Sequence, residues 1–255
     1  MRFDERVACV TGAARGIGRA VAERLALEGA AVAVVDVDGD EAAKTAASLE
    51  ERFGGAALAV AADVSTKTDA DRAVATVLDG WGRLDVLVNN AGGGVIRPTL
   101  DHDEDSIRTT IERNLLTTIW TTLAALPPMV EAGYGRVVNV GADSVRNGLY
   151  EHAVYNAAKG GVHALCTGLG REFADRNITF NTVAPTVVMT EAVAAFLAAE
   201  PETGPKSWTR VFDLIPMQRA ATLDEVASAV AYLASEEAGF ITGQVLSVNG
   251  GSSMG

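Results

Sequence analysis

"VACVTGAARGIGRAVAERLALEGAAVAVVD", residues 7–36, decides the fold. A short run of Val, Ala and Cys with no polar alternation enters the turn Thr11-Gly12-Ala13-Ala14-Arg15-Gly16-Ile17-Gly18. It leaves as a helix in which Ile17, Val21 and Leu25 share one face. A second apolar run follows and closes on Asp36. Strand, glycine turn, helix and strand ending on an acid is the arrangement that cradles a pyrophosphate. Gly12 permits the tight turn, and Gly16 and Gly18 let backbone amides approach the phosphates and the helix pack on the sheet. The helix N-terminus adds a favourable partial charge. Asp36 is placed to accept hydrogen bonds from adenosine ribose hydroxyls, and its charge repels a 2′-phosphate. Val37 follows it, so no basic neighbour is ready for that phosphate, although Arg15 in the turn can reach one. The reading therefore favours NAD over NADP.

The same rhythm runs through the rest of the chain. "AALAVAADV" (56–64), "LDVLVNNAG" (84–92), "GRVVNVGA" (135–142), "NITFNTVAP" (177–185) and "GQVLSVNGG" (243–251) are further short apolar runs. All but the last lead into segments able to form helices. Near-continuous apolar strands separated by helices predict a parallel sheet covered on both faces. The expectation is one α/β domain over residues 1–255, a Rossmann-type doubly wound sheet of about seven strands. No linker, repeat or low-complexity stretch divides it. Residues 186–220 break the alternation with Pro201, Pro205 and Pro216 and carry Trp208, Phe212 and Met217. An insertion there predicts a lid over a site or a contact between subunits.

Composition narrows the function classes. The chain has 255 residues, 48% hydrophobic, and a net charge of −12 spread without long blocks. Such acidity repels nucleic acid and anionic membrane and otherwise serves solubility. Cys9 and Cys166 sit inside apolar runs, as buried thiols in a reducing compartment do. His102, His152 and His163 lack metal-ligand spacing, and no apolar run spans a membrane or forms a leader. A cytoplasmic protein without a metal is expected.

The chemistry is expected in "VGADSVRNGLYEHAVYNAAKGG", residues 140–161. Tyr155 and Lys159 stand four apart, so a helix puts them on one face. A neighbouring cation can draw a tyrosine down from its usual pKa of about 10, which makes a proton-transfer pair.

These residues together resemble the short-chain dehydrogenase/reductase family over essentially the whole chain. Thr11 to Gly18 match its Thr-Gly-x-x-x-Gly-x-Gly turn, and Asp63-Val64 its adenine-binding pair. Asn89-Asn90-Ala91-Gly92 match its strand end, Asn114 in "ERNLLTT" its helix asparagine, and Tyr155/Lys159 its Tyr-x-x-x-Lys motif. "NTVAPTVVMT" (181–190) resembles its Asn-x-Val-x-Pro-Gly-x-Val-x-Thr segment. The resemblance implies adenine contacts for Asp63 and Val64, and ribose contacts for Asn90, Tyr155 and Lys159. It implies nicotinamide contacts for Val188 and Thr190, with Gly92 and Pro185 beside them. Tyr155 is the implied general acid/base, Lys159 its cation, and Asn114 the holder of a relay water. The long segment 101–131 and the helix after Tyr155 resemble the interface helices of a homotetramer.

Two positions depart from the pattern. Ala142 stands where the family has a serine, thirteen residues before the tyrosine, and Thr186 stands where it has a glycine. Were the strand to continue extended, Ser144 would face the same way as Ala142 but about 6–7 Å further along. Three readings stay open. Ser144 replaces the hydroxyl through a bent loop, the alanine was introduced to trap a complex, or the enzyme works without the hydroxyl. Asp143 would need a proton to donate. His152, three before Tyr155, is a second donor at the substrate mouth or a plain loop histidine.

The resulting expectation is an NAD-dependent enzyme that interconverts a small secondary alcohol and its ketone. The chain resembles the family's members acting on cyclic hydroxy compounds, such as hydroxycyclohexane-carboxyl derivatives. The alternatives are a 3-oxoacyl-carrier-protein reductase using NADPH, which Asp36 and the acidity disfavour, and a catalytically idle NAD-binding module. An idle module has no need to keep Tyr155, Lys159 and Asn114 together.

Overall fold

A computed structural model describes residues 1–199 and 212–254. Seven strands form one sheet: β1 (Val7–Thr11), β2 (Ala31–Asp36), β3 (Ala57–Ala61), β4 (Val86–Asn89), β5 (Gly135–Val140), β6 (Ile178–Pro185) and β7 (Val245–Val248). Their order is β3-β2-β1-β4-β5-β6-β7 and every pairing is parallel. All seven runs read from the sequence are strands, and β1, β4, β5 and β6 are buried along their whole length.

The covering is visible residue by residue along β1. Ala8 and Val10 point into a core shared with Val21 and Leu25 of α1 (Gly16–Leu27) and with Leu49 of α2 (Gly39–Phe53). Val7 and Cys9 point the other way, against Val74 and Val77 of α3 (Lys67–Trp81). Between β4 and β5 the chain forms α4 (Glu104–Ile111), a wider π-type turn (Glu112–Leu116) and α5 (Thr117–Ala132). A four-residue helix, α6 (Ser144–Asn147), follows β5, and α7 (Ala153–Glu172) leads to β6. After β6 come α8 (Glu191–Ala199) and α9 (Leu223–Ala234), the latter closing the first core with Val226 and Val230. Of the expected lid, 186–199 and 212–220 are described. Trp208 and the rest of 200–211 lie outside the described residues.

The strand order reverses at β1, where the chain crosses from β3 to β4. Loops diverge on either side of that point, so a crevice opens beyond the carboxyl ends of the strands. Thr11, Asp36, Asn89, Val140 and Pro185 are the last residues of five of those strands and all stand at this edge. Helix caps mark the same place. Asp38 caps α2 and Thr66 caps α3 through their side chains, whereas Arg15 at the start of α1 gives no such cap. The amides at the start of α1 are left for something else.

Phe180 on β6 is fully buried and packs with its ring 5.9 Å from that of Phe173. Phe180→Ala should lower the unfolding free energy by about 3–5 kcal/mol, seen as an earlier midpoint in chemical denaturation. A midpoint equal to wild type would mean the sheet's core is not sealed there.

Candidate active site

The glycine turn is set by close approach. Gly12 has φ +61°, and a Cβ on it would lie 2.8 Å from Ala91 Cα. A Cβ on Gly18 would lie 2.1 Å from the Gly12 carbonyl oxygen, so only glycine lets α1 start this close to β1. Gly16 has φ +58° and meets only the Thr190 methyl, at 3.9 Å. Asn90 secures the turn from β4: its Nδ2 donates to the carbonyls of Thr11 (3.0 Å) and Gly12 (2.9 Å). Thr11 Oγ1 in turn accepts from the amides of Asn90 and Ala91, each at 3.0 Å. Asp36 is held in place by the amides of Ala14 (3.0 Å) and Asp38 (3.1 Å). The Arg15 guanidinium pairs with Asp38.

From this end a cavity of about 1190 Å³ runs along the strand ends. That exceeds the roughly 300–1,000 Å³ of a site for one small ligand. Asp36, Asp63 and Val64 line one end, and Tyr155, Lys159 and Thr190 the other. Gly12, Arg15, Ile17, Asn90, Gly92, Asn114, Ser144, Pro185 and Val188 also line it. Of the residues expected at the site, Gly16 and Gly18 alone fall outside the lining; they shape the turn from behind. The fit to a dinucleotide rests on three features: an uncapped helix start, glycines no side chain can replace, and room for two nucleotides plus a small molecule.

At the far end α7 presents Tyr155 and Lys159 one turn apart. Lys159 is 5% exposed and its Nζ donates to the Val140 carbonyl at 2.7 Å, tying the helix to the end of β5. Asn114, fully buried in the π-type turn, donates to the carbonyls of Thr110 (2.9 Å) and Gly93 (3.1 Å) and accepts from the Gly93 amide (3.2 Å). A π-type turn adds a residue to the helix and aims one side chain off the regular spacing. Glycines 92–94 make room for the group. A Cβ on Gly92 would lie 2.9 Å from Asn114 Oδ1, and one on Gly94 3.0 Å from Tyr155 Cδ2.

Burial sets the resting charge of this pair. It pushes Tyr155 up to about 12 and Lys159 down to about 8. The downward pull on Tyr155 expected from sequence is thus outweighed in the protein alone, because desolvation disfavours phenolate and ammonium alike. A further positive charge at the site would be needed to draw the phenol toward neutrality.

The segment after β5 does not stay extended. Asp143 takes a helical conformation and α6 begins at Ser144, so Ala142 and Ser144 line the same cavity despite their separation along the chain. Ser144 Oγ donates to Asn156 Oδ1 at 2.6 Å, a partner the sequence did not suggest. Asp143 is fully buried and turned away from the reaction end. Its carboxylate accepts from Asn249 Nδ2 (2.9 Å), Ser253 Oγ (2.6 Å), Asn147 Nδ2 (3.1 Å) and the Ser252 hydroxyl. It is a structural anchor, in keeping with its poor standing as a donor. His163, one turn beyond Lys159 on α7, accepts from the Ala142 amide through Nε2 at 3.5 Å and packs against Gly141. The two α7 side chains therefore bracket the end of β5, one donating to it and one accepting from it. Nothing in the spacing of the three histidines marked this one.

Comparison with known proteins agrees with the geometry. The family model described as enoyl-(acyl carrier protein) reductase matches residues 12–253. The chain is 48% identical to the 2,3-dihydroxy-2,3-dihydro-p-cumate dehydrogenase of Pseudomonas putida, covering 99% of this chain and 96% of that one. It is 37% identical to the cyclohexanol dehydrogenase of a Rhodococcus species, covering 96% and 95%. The crystal structure of levodione reductase superimposes with a TM-score of 0.91 at 30% identity, over 98% of both chains.

Burial and the charges of Arg146 and Lys159 hold His163 down at about 4, against the upward pull of Asp143. Between about 4 and the usual 6.5 the unfolded chain binds this proton and the folded one does not, so stability rises with pH there. Acidification through that window should lower the melting temperature, and His163→Leu should flatten this part of the profile. An unchanged slope in the variant would show that other groups set the acid sensitivity.

Proposed function

The chain belongs to the short-chain dehydrogenase/reductase family, and on that premise we propose that it is an NAD(H)-dependent oxidoreductase interconverting a cyclic secondary alcohol and its ketone. The observation that carries the reading is the single cavity joining the Asp36 end to the Tyr155–Lys159 pair. When bound there, a nicotinamide dinucleotide supplies the hydride acceptor and a positive ring. Asp36, fixed by two amides, receives the adenosine ribose, and Asp63 and Val64 flank the adenine. The bare start of α1 faces the pyrophosphate. Pro185, Val188 and Thr190 lie on the nicotinamide side.

Preference for NAD over NADP follows from charge. Asp36, Asp38 and Asp63 gather at the adenosine end, and Arg15 is already paired with Asp38. A 2′-phosphate would be placed against these carboxylates, with the cation of the glycine turn already engaged.

In oxidation, Tyr155 takes the hydroxyl proton as the carbinol hydride leaves. Lys159 keeps positive charge beside the resulting oxygen and orients the ribose, and Asn114 opens the proton path behind it. Ser144 Oγ, which donates to Asn156 in the protein alone, turns its hydrogen to the substrate oxygen in place of the side chain that Ala142 lacks. The wall near Tyr155 is apolar at Ile96, Leu149, Val187 and Val193, which suits a ring. The names of the p-cumate dihydrodiol and cyclohexanol dehydrogenases support a cyclic alcohol as substrate. The same proposal includes a cytoplasmic homotetramer, on the family resemblance. Among the described residues no helix is long and apolar enough to cross a membrane.

Formation of reduced cofactor from cyclohexanol should proceed with NAD and be poorer by about 10² or more with NADP, since opposed like charges cost several kcal/mol. Tyr155→Phe should lose about 10²–10⁴ in turnover while still binding NADH. An active Tyr155→Phe enzyme would overturn the proton-transfer assignment. Removing a side chain that holds the reacting oxygen costs about 10²–10³. Ser144→Ala should therefore fall by about 10² while Ala142→Ser changes less than about tenfold; a large gain in Ala142→Ser would mean that Ser144 does not hold the oxygen.

A further inference from the structure

One side chain beside Tyr155 presents a hydrogen-bond acceptor to the cavity, His152. Its Nδ1 lies 2.6 Å from the Tyr150 carbonyl oxygen. A carbonyl only accepts, so Nδ1 carries the hydrogen and Nε2 of the neutral ring is a bare acceptor. Among the described residues nothing donates to that Nε2. The ring lines the same cavity and stands edge-on to Tyr155, with centroids 5.8 Å apart and planes at 85°. Its place directly before α7 fixes it one turn from Tyr155 on the same side of the helix.

A ketone oxygen brings only lone pairs and gains nothing from such an acceptor. A diol brings two hydroxyl donors. One gives its proton to Tyr155, and the other needs an acceptor a short distance away along the ring edge. We propose that His152 receives a second hydroxyl, on the carbon next to the one oxidised, so that the enzyme selects vicinal diols over simple alcohols. This rests on the reading of the chain as an alcohol dehydrogenase. It assigns His152 the opposite polarity from the donor role considered from sequence. In reaction terms, the hydride and one hydroxyl proton leave the diol, and a hydroxyketone is formed with the second hydroxyl unchanged.

A specificity ratio tests the assignment. The kcat/KM values for cis-1,2-cyclohexanediol and cyclohexanol are measured with NAD for wild type, His152→Phe and His152→Gln. Phenylalanine keeps the ring's shape without an acceptor, and glutamine restores an acceptor oxygen. The wild type should prefer the diol by about tenfold or more. Leaving a hydrogen-bonding group unmet changes discrimination on this scale. The preference should collapse in His152→Phe and return in part in His152→Gln. Binding of the diol to the enzyme–NADH complex, followed by cofactor fluorescence, should weaken in parallel. A wild type indifferent to the second hydroxyl, or a His152→Phe ratio equal to wild type, overturns the role of His152 alone. Absence of NAD-linked oxidation of either alcohol by wild type overturns the alcohol dehydrogenase reading itself.

Discussion

Gly18 and the carbonyl of Gly12 touch so closely that no side chain fits between them, with a built Cβ falling 2.1 Å from the oxygen. This contact fixes the angle at which α1 leaves β1, and much of the site follows from it. The start of α1 is thereby aimed over the strand ends. Asn90 reaches across from β4 to hold the same turn by two carbonyls, so the end of β4 is positioned by β1. Residues 92–94 leave β4 from that fixed point and pass between Asn114, Lys159 and Tyr155. The nucleotide end and the reaction end are therefore one mechanical unit, joined through backbone contacts that tolerate only glycine.

The reaction end is built against solvation. Burial raises Tyr155 and lowers Lys159, so each resists the charge that proton transfer requires of it. A positive charge brought into the same low-dielectric space would act on the phenol more strongly than it would in water. In the proposed reaction, proton transfer by Tyr155 would therefore depend on what else occupies the cavity.

Much of this was legible in the sequence, and what was not has physical causes. The seven strands were readable because a parallel sheet covered on both faces leaves an unbroken apolar signature. The glycine turn and Asp36 were readable because close approach and charge leave few residue choices. The π-type turn around Asn114 was not, since an inserted helical residue costs little and marks no particular composition. The bend at Asp143 stayed one of three open readings because it is held by Asn249, Ser252 and Ser253, more than a hundred residues away. The upward shift of Tyr155 was missed for a related reason: a tyrosine and a lysine four apart announce attraction, whereas desolvation depends on everything packed around them.

The Asp143 anchor has a consequence for how the protein is made. The residues that satisfy this buried carboxylate, Asn249, Ser252 and Ser253, are synthesised more than a hundred positions after it. A nascent chain emerging from the ribosome with β1 to β6 already formed offers this carboxylate Asn147 but not its other side-chain donors, a costly state for a carboxylate out of water. The loop bearing Ala142 and Ser144 settles only when β7 and the residues after it arrive. Ribosomal stalling or proteolytic trimming near residue 247 would then yield a molecule with an ordered nucleotide half and an unfinished reaction half. Completion of synthesis is written into the geometry of catalysis.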